Sequence, residues 1–384
     1  MRHEELLHRC FRCGWCKLPT NYVDFNCPAY LQFRFESFSA GGRMWLIRAW
    51  QQGELKAGER LARILFTCVT CKNCVQACAM PGIRDQLVEI FMAAKGELVE
   101  QGIVPPAIRD YLKAMQTYGN PYKRPAAERA AWAEGLDLPR YAGQEHLLYI
   151  GDEGAFDELG IRMARATARL LQSAGVDFGI LAEAEFSDGN DVRAAGEESL
   201  AAAMAEELIG RLNRLGVQKI VTLSPHALNI MKADYPAWGG SFTVRHYTQI
   251  LAPLVRKLPL VKTEMKATYH DPCYLGRWQG EYEAPRAILR AIPGLTLTEM
   301  ARNRKDALCC GGGGGNFFTD VLGHGVDQAA RVRVREAEET GAEVLAVACP
   351  LCLKMLDDAV KAENLEDRLR VRDIASLVLE AAGS

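Results

Sequence analysis

The residues of this sequence that could do the most chemistry are its thirteen cysteines, which fall into groups. Cys10, Cys13 and Cys16 form C-x2-C-x2-C, and Cys27 follows just ahead of Pro28. Cys68, Cys71, Cys74 and Cys78 form C-x2-C-x2-C-x3-C. Cys273, Cys309, Cys310, Cys349 and Cys352 stand in the last third, with the adjacent pair opening the run "LCCGGGGGNFF". That pair does not suit a disulfide with itself, since consecutive Cα atoms sit ~3.8 Å apart, under the usual minimum of ~4.4 Å. The odd total fits poorly with complete pairing. The opening "MRHEELLHRC" has no signal-peptide apolar stretch, so a reduced, cytoplasmic chain is expected. Clustered thiols in that setting hold metal or do redox chemistry.

The second group has the bacterial ferredoxin spacing for cubane clusters. Three closely spaced thiolates clasp one cluster, and the fourth is too constrained to reach it, so it ligates the neighbouring one. By that logic Cys10, Cys13, Cys16 and Cys78 hold one [4Fe-4S], and Cys68, Cys71, Cys74 and Cys27 hold another. Structural zinc also uses paired C-x2-C motifs, but two threefold runs would leave sulfurs over. Cys27 departs from the usual spacing through the insertion "KLPTNYVDFN", which covers the cluster or meets a partner.

Each of the last five cysteines follows a predicted strand or lies in a loop where strands end, the edge at which open α/β sheets bind ligands. Cys349-Pro-Leu-Cys352 alone reads as a thioredoxin-like redox pair, yet three more cysteines at matching loop ends favour a metal site. Five thiolates are one more than a cubane needs, leaving open a spare reactive thiol or an unusual cluster. Gly311 to Gly315 let the backbone approach closely and take φ > 0. Their N–H groups, those of Gly311 and Gly312 foremost, are candidate donors to cluster sulfurs. A phosphate loop would carry the Lys-Ser/Thr that is absent here. His270 and Asp271 flank the site; His270 reads as a proton donor or, more simply, as a histidine satisfied by hydrogen bonds at a strand end.

The elements that must position these residues divide the 384-residue chain. Residues 1–100 are mostly helix-like, with "AGG" (40–42) as a break. Residues 101–143, rich in turn-forming proline, form a connector. From about Gln144 short apolar runs ("HLLYI", "KIVTL", "EVLAVA") alternate with helical stretches, the pattern of a parallel α/β sheet. This part is an internal repeat. "GVQKIVTLSPHALNIMK" aligns with "GAEVLAVACPLCLKMLD", and "SDG" at Ser187 with "CCG" at Cys309. Where one copy (259–384) carries the five cysteines, the other (144–258) carries Asp152, Ser187, Asp188, Ser224 and Ala227, a set that does not favour iron–sulfur clusters. A formal charge of −2 without a dominant Lys/Arg block argues against nucleic acid and acidic membranes. Arg331, Arg333 and Arg335 read as the solvated part of a helix. No apolar run reaches the ~18 residues of a membrane span.

"HDPCYLGR … CCGGGGGN … CPLC" resembles the CCG domain of heterodisulfide reductase-type proteins, and the two N-terminal groups resemble the ferredoxin-like module joined to it in the HdrC/HdrB fusion, HdrD. "YGNPY" in the connector fits as well, and "SDGNDVRAAG" looks like a decayed "CCGDPARRLG". The resemblance implies an α+β chain, a helical ferredoxin-like 2×[4Fe-4S] domain followed by a duplicated α/β CCG domain. It implies a noncubane [4Fe-4S] cluster on Cys273, Cys309, Cys310, Cys349 and Cys352, so three clusters in all. Loss of the partner site argues against two-cluster cleavage of a heterodisulfide. It leaves an electron-transfer subunit of an anaerobic complex, as in relatives with HdrA-like flavoprotein partners. The other possibility is a catalytic subunit reducing a small-molecule or protein disulfide, as for DsrK-like relatives.

Overall fold

The computed structural model describes residues 3–383. Every strand among them lies after residue 145, so the first part is helical and the remainder α/β, an α+β chain. In the helical part, helix Glu59–Phe66 buries Leu61, Ala62, Leu65 and Phe66, and helix Leu87–Glu100 buries Leu87, Phe91, Ala94 and Leu98. Both sets recur at three- and four-residue spacing, which places them on one helical face. These faces close over the cysteine loops, and Cys16, Cys68 and Val75 belong to the same apolar core.

The predicted break at "AGG" is not one. Ala40–Gly42 are the first turn of helix Ala40–Gln51, where the Ser39 hydroxyl accepts from the Gly42 N–H at 3.1 Å. A Cβ at Gly42 would overlap the Glu36 carbonyl, so this glycine serves close packing at a helix start.

The α/β part holds two parallel four-stranded sheets. The first comprises β1 (His146–Tyr149), β2 (Phe178–Ile180), β3 (Lys219–Thr222) and β4 (Thr243–His246), in the order β2-β1-β3-β4. The second comprises β5 (Met265–Tyr269), β6 (Leu295–Leu297), β7 (Val344–Val347) and β8 (Arg370–Asp373), in the order β6-β5-β7-β8. The two orders are the same once renumbered. β7 is buried along its whole length, as a central strand covered on both faces must be. Helix Glu158–Ser173 of the first unit packs on Pro350–Ala362 and Ile374–Ala381 of the second, and one apolar core runs through both sheets.

The repeat aligns in detail where the cysteines matter. Ser224 is the N-cap of helix Pro225–Ala233 after β3, and Cys349 is the N-cap of helix Pro350–Ala362 after β7. Gly189 of "SDG" and Gly311 of "CCG" both take left-handed conformations, φ 85° and 90°.

Candidate metal centres

All thirteen cysteines are free thiols. The two N-terminal loops share a backbone device. Residues just before and just after each middle cysteine are left-handed: Arg12 and Gly14 round Cys13, Thr70 and Lys72 round Cys71. Two such residues in five curl each loop tightly about its cysteines. For Arg12, Thr70 and Lys72 this conformation costs energy that the surrounding structure must offset.

Cys10, Cys13, Cys16 and Cys78 line one cavity, and Cys27, Cys68, Cys71 and Cys74 line a second. Each cavity thus gathers three thiols of one loop with the distant fourth of the other, a donor set of the number and softness that [4Fe-4S] requires. Burial pushes the Cys16 thiol up to about 12, with those of Cys10, Cys27, Cys74 and Cys78 also raised. Such thiols are neutral until a metal displaces their protons.

The last five cysteines converge beyond the C-terminal ends of β5 and β7, all buried. The Cys309 and Cys273 sulfurs lie 3.5 Å apart, and those of Cys310 and Cys352 3.4 Å apart. The Gly311 N–H donates to the Cys309 sulfur at 3.3 Å. Gly313 and Gly314 have a different task. A Cβ on Gly313 would sit 2.5 Å from the Val69 carbonyl oxygen, and one on Gly314 2.6 Å from that of Cys68. The glycine run is therefore pressed against the Cys68–Cys74 loop. There the proximity of Cys309, together with burial, raises the Cys71 thiol well above the ordinary cysteine value. The second and third thiol sets are thus neighbours.

Three residues of the π-helical turn Tyr274–Trp278, directly after Cys273, tie the same loop down. The Tyr274 hydroxyl bonds the Thr70 hydroxyl at 2.9 Å, and Trp278 Nε1 donates to the Thr70 carbonyl at 2.9 Å. Arg277 donates to the carbonyls of Cys71 and Ala307, both at 2.6 Å. Buried Lys95 donates to the Cys68 and Ala194 carbonyls at 2.9 Å each, and burial lowers it to about 8. Buried Arg43 donates to the Ile64 carbonyl and the Thr67 hydroxyl.

The other copy presents carboxylates at the matching place. Asp152, Glu153, Asp188, Asp191 and His226 surround a small cavity with Ser187 and Ser224. Arg129 pairs with Asp152 at 2.5 Å. Burial lifts the carboxyl of Asp188 to about 7 and that of neighbouring Glu185 to about 8. Burial opposes a charged His226, but the Asp191 carboxylate at 2.9 Å more than compensates and raises it to about 10. His226 also stacks on Tyr274, ring centroids 4.0 Å apart.

Comparison with known proteins agrees with this layout. Residues 6–81 match the 4Fe-4S dicluster domain family and residues 267–357 the Cysteine-rich domain (CCG) family. The HdrD protein of the dihydromethanophenazine:CoB–CoM heterodisulfide reductase of Methanosarcina barkeri is 31% identical over 406 residues, covering 98% of this chain and 94% of that protein. The chain belongs to the HdrD family of heterodisulfide reductase proteins. The "Probable iron-sulfur-binding oxidoreductase FadF" of Bacillus subtilis is 34% identical over 334 residues, 83% of this chain and 46% of that protein. The EtfAB:quinone oxidoreductase of Syntrophomonas wolfei is 32% identical, again over 83% of this chain and 46% of that protein. The chain thus spans about half the length of these two relatives. A hypothetical protein from Helicobacter pylori, known from its crystal structure, shares the fold with a TM-score of 0.61 at 10% identity, covering 100% of this chain and 73% of that one.

For a member of the HdrD family, two sequence expectations need correction. Arg333 is not part of a solvated helix face: it is fully buried and donates to His270 Nδ1 at 3.1 Å, while Arg331 and Arg335 share Glu363. His270 is only half satisfied, because its Nε2 is buried with no partner. Arg43, Lys95 and Arg277 escaped the sequence reading altogether. Nothing in their local sequence separates a cation that caps a distant carbonyl from one in solvent. Among the described residues no helix is long and apolar enough to cross a membrane.

The carboxylate cluster predicts a pH dependence. Asp188 and Glu185 have folded-state values above their unfolded ones, so their contribution to stability is full below about pH 4 and is lost as pH rises toward about 7 and 8. The urea midpoint should therefore fall between about pH 5 and about pH 8, and Asp188→Asn should flatten that slope. A flat profile in the parent protein would mean that the cluster is hydrated.

Proposed function

We propose that this chain is an iron–sulfur electron-transfer subunit of a cytoplasmic multi-subunit oxidoreductase. It would hold two cubane [4Fe-4S] clusters and a third, noncubane one. Cys10, Cys13, Cys16 and Cys78 are the ligands of the first, Cys27, Cys68, Cys71 and Cys74 of the second, and Cys273, Cys309, Cys310, Cys349 and Cys352 of the third. When bound, such clusters supply one-electron carriers. The observation that carries the reading is geometric: the two N-terminal sets exchange their fourth cysteines and the glycine run presses on the loop of the second, which puts the three thiol sets in series. The series runs from exposed Cys13 to Cys349, only 1% exposed.

The protein's own part is to fix that series and bury its inner end. The left-handed turns gather each trio, the glycine run lets two loops meet backbone to backbone, and Tyr274, Arg277 and Trp278 fasten them. Burial of all five late cysteines favours a relay over disulfide reduction at that site, since an exchanging disulfide needs access to sulfur. Residues 1–100 then form the ferredoxin-like module, 101–143 a connector, 144–258 a copy without a cluster, and 259–384 the copy with one. The partners are other redox subunits, an HdrA-like flavoprotein among the candidates.

Anaerobically reconstituted protein should carry about twelve irons per chain, if each of three sites takes a four-iron cluster. Cys310→Ala should reduce this to about eight while leaving two cubane EPR signals. Zinc alone, or about eight irons in the parent protein, would contradict the assignment.

A further inference from the structure

His270 lies directly after β5 and is fully buried. Its main-chain N–H is bonded to the Ala346 carbonyl at 3.0 Å, so the backbone is held by the sheet. Its Nδ1 faces Arg333 Nε at 3.1 Å. Arg333 is itself fully buried and fixed by bonds to the Arg302 carbonyl at 2.8 Å and to Glu336 at 2.9 Å. A guanidinium has only donors and does not give up a proton in a protein. Nδ1 must therefore be the acceptor, and the ring proton of a neutral imidazole must sit on Nε2.

That Nε2 is buried and makes no hydrogen bond within the protein. Leaving such a donor unsatisfied is costly, so an acceptor is expected. A ring nitrogen of His270 and the sulfurs of Cys310 and Cys352 all lie within 4.8 Å of one another. With Nδ1 taken by Arg333, the nitrogen left for sulfur is Nε2.

We propose that His270 donates an N–H···S hydrogen bond from Nε2 to the Cys310–Cys352 side of the five-cysteine cluster, and that Arg333 is the positioning residue that sets its tautomer. This rests on the assignment of a cluster to those cysteines. Two other roles do not fit the geometry. Ligation through Nε2 needs its lone pair, hence a proton on Nδ1, where Arg333 already donates. Proton delivery by an imidazolium needs the same Nδ1 proton. The bond complements the Gly311 N–H on Cys309, so that donors reach both ends of the sulfur set. Hydrogen bonds to cluster sulfurs stabilise the more negative, reduced state and raise the potential.

The test uses the full reconstituted chain with 15N-histidine. The third cluster should show one weak histidine 15N coupling by ENDOR, a measurement that needs no variant, and an exchangeable proton coupling that disappears in His270→Phe while that of the Gly311 N–H stays. His270→Phe should lower the third cluster's midpoint potential and leave both cubane potentials in place. His270→Gln, whose amide N–H reaches the same side, should restore most of the loss. Arg333→Leu should weaken the 15N coupling, and Arg333→Gln, which keeps an N–H donor, should recover it. A coupling of directly bonded size, or no 15N coupling, would overturn the proposal, as would an unchanged potential in His270→Phe. With about twelve irons present such a result sinks this inference alone, whereas about eight irons in the parent protein sink the cluster assignment with it.

Discussion

Gly314→Ala is expected to destabilise the protein by roughly 2–5 kcal/mol and to part the second and third thiol sets. Two effects add. Gly314 has φ +65°, where an alanine costs about 1–2 kcal/mol. The new Cβ would also stand 2.6 Å from the Cys68 carbonyl oxygen and 3.1 Å from the Val69 Cα. That carbonyl cannot swing away freely, because Lys95 Nζ holds it at 2.9 Å. Relief must come from moving one loop off the other, which draws the second and third thiol sets apart. Gly323→Ala is the control for conformation alone, since Gly323 has φ +71° and nothing within 4 Å of its added Cβ. Thermal midpoints of the reconstituted proteins should therefore fall much further for Gly314→Ala than for Gly323→Ala. The magnetic interaction between the reduced second and third clusters should weaken only in the former. Equal midpoints for the two variants would show that the loops can part at no cost, and the close approach would lose its role.

The glycine run also shows where sequence reading stops. Cysteine spacing is a local constraint: three thiols within seven residues can meet only if the loop curls, and the left-handed Arg12, Gly14, Thr70 and Lys72 do that curling. The repeat was legible for a similar reason, since Ser224 and Cys349 each begin a helix after a central strand. What the glycines face was not legible. Room for a cluster and room for a neighbouring backbone make the same demand on residue type, and Val69 is far away in sequence. The alternation in "RVRVR" likewise places Arg331 and Arg335 near Glu363 at the surface but turns Arg333 inward to His270. Each has the local pattern of a solvated cation, and only the fold shows that one is not. The "AGG" turn fails in the same way, because the glycine is required by a carbonyl four residues before the helix rather than by a bend.

Arg277→Met should be the most damaging single change away from the cysteines, costing roughly 3–5 kcal/mol and lowering the potentials of both the second and third clusters. Arg277 bonds the Cys71 carbonyl on one loop, and the Ala307 carbonyl and, at 3.3 Å, the Lys305 carbonyl on the other. Its removal leaves the Cys71 and Ala307 oxygens buried without this donor, at about 1–3 kcal/mol for each. It also removes a buried positive charge that the sulfurs of Cys71, Cys273 and Cys309 stabilise against the cost of burial. A cation placed there favours the more negative, reduced state of whatever those thiolates hold, so its loss shifts both potentials down. Arg277→Lys separates the two roles. A lysine restores charge but not the fork that serves two loops at once. It should recover most of the potential and little of the thermal stability. If lysine instead restores stability without potential, the contribution of Arg277 is packing, and the charge between the two sulfur sets does not govern their reduction.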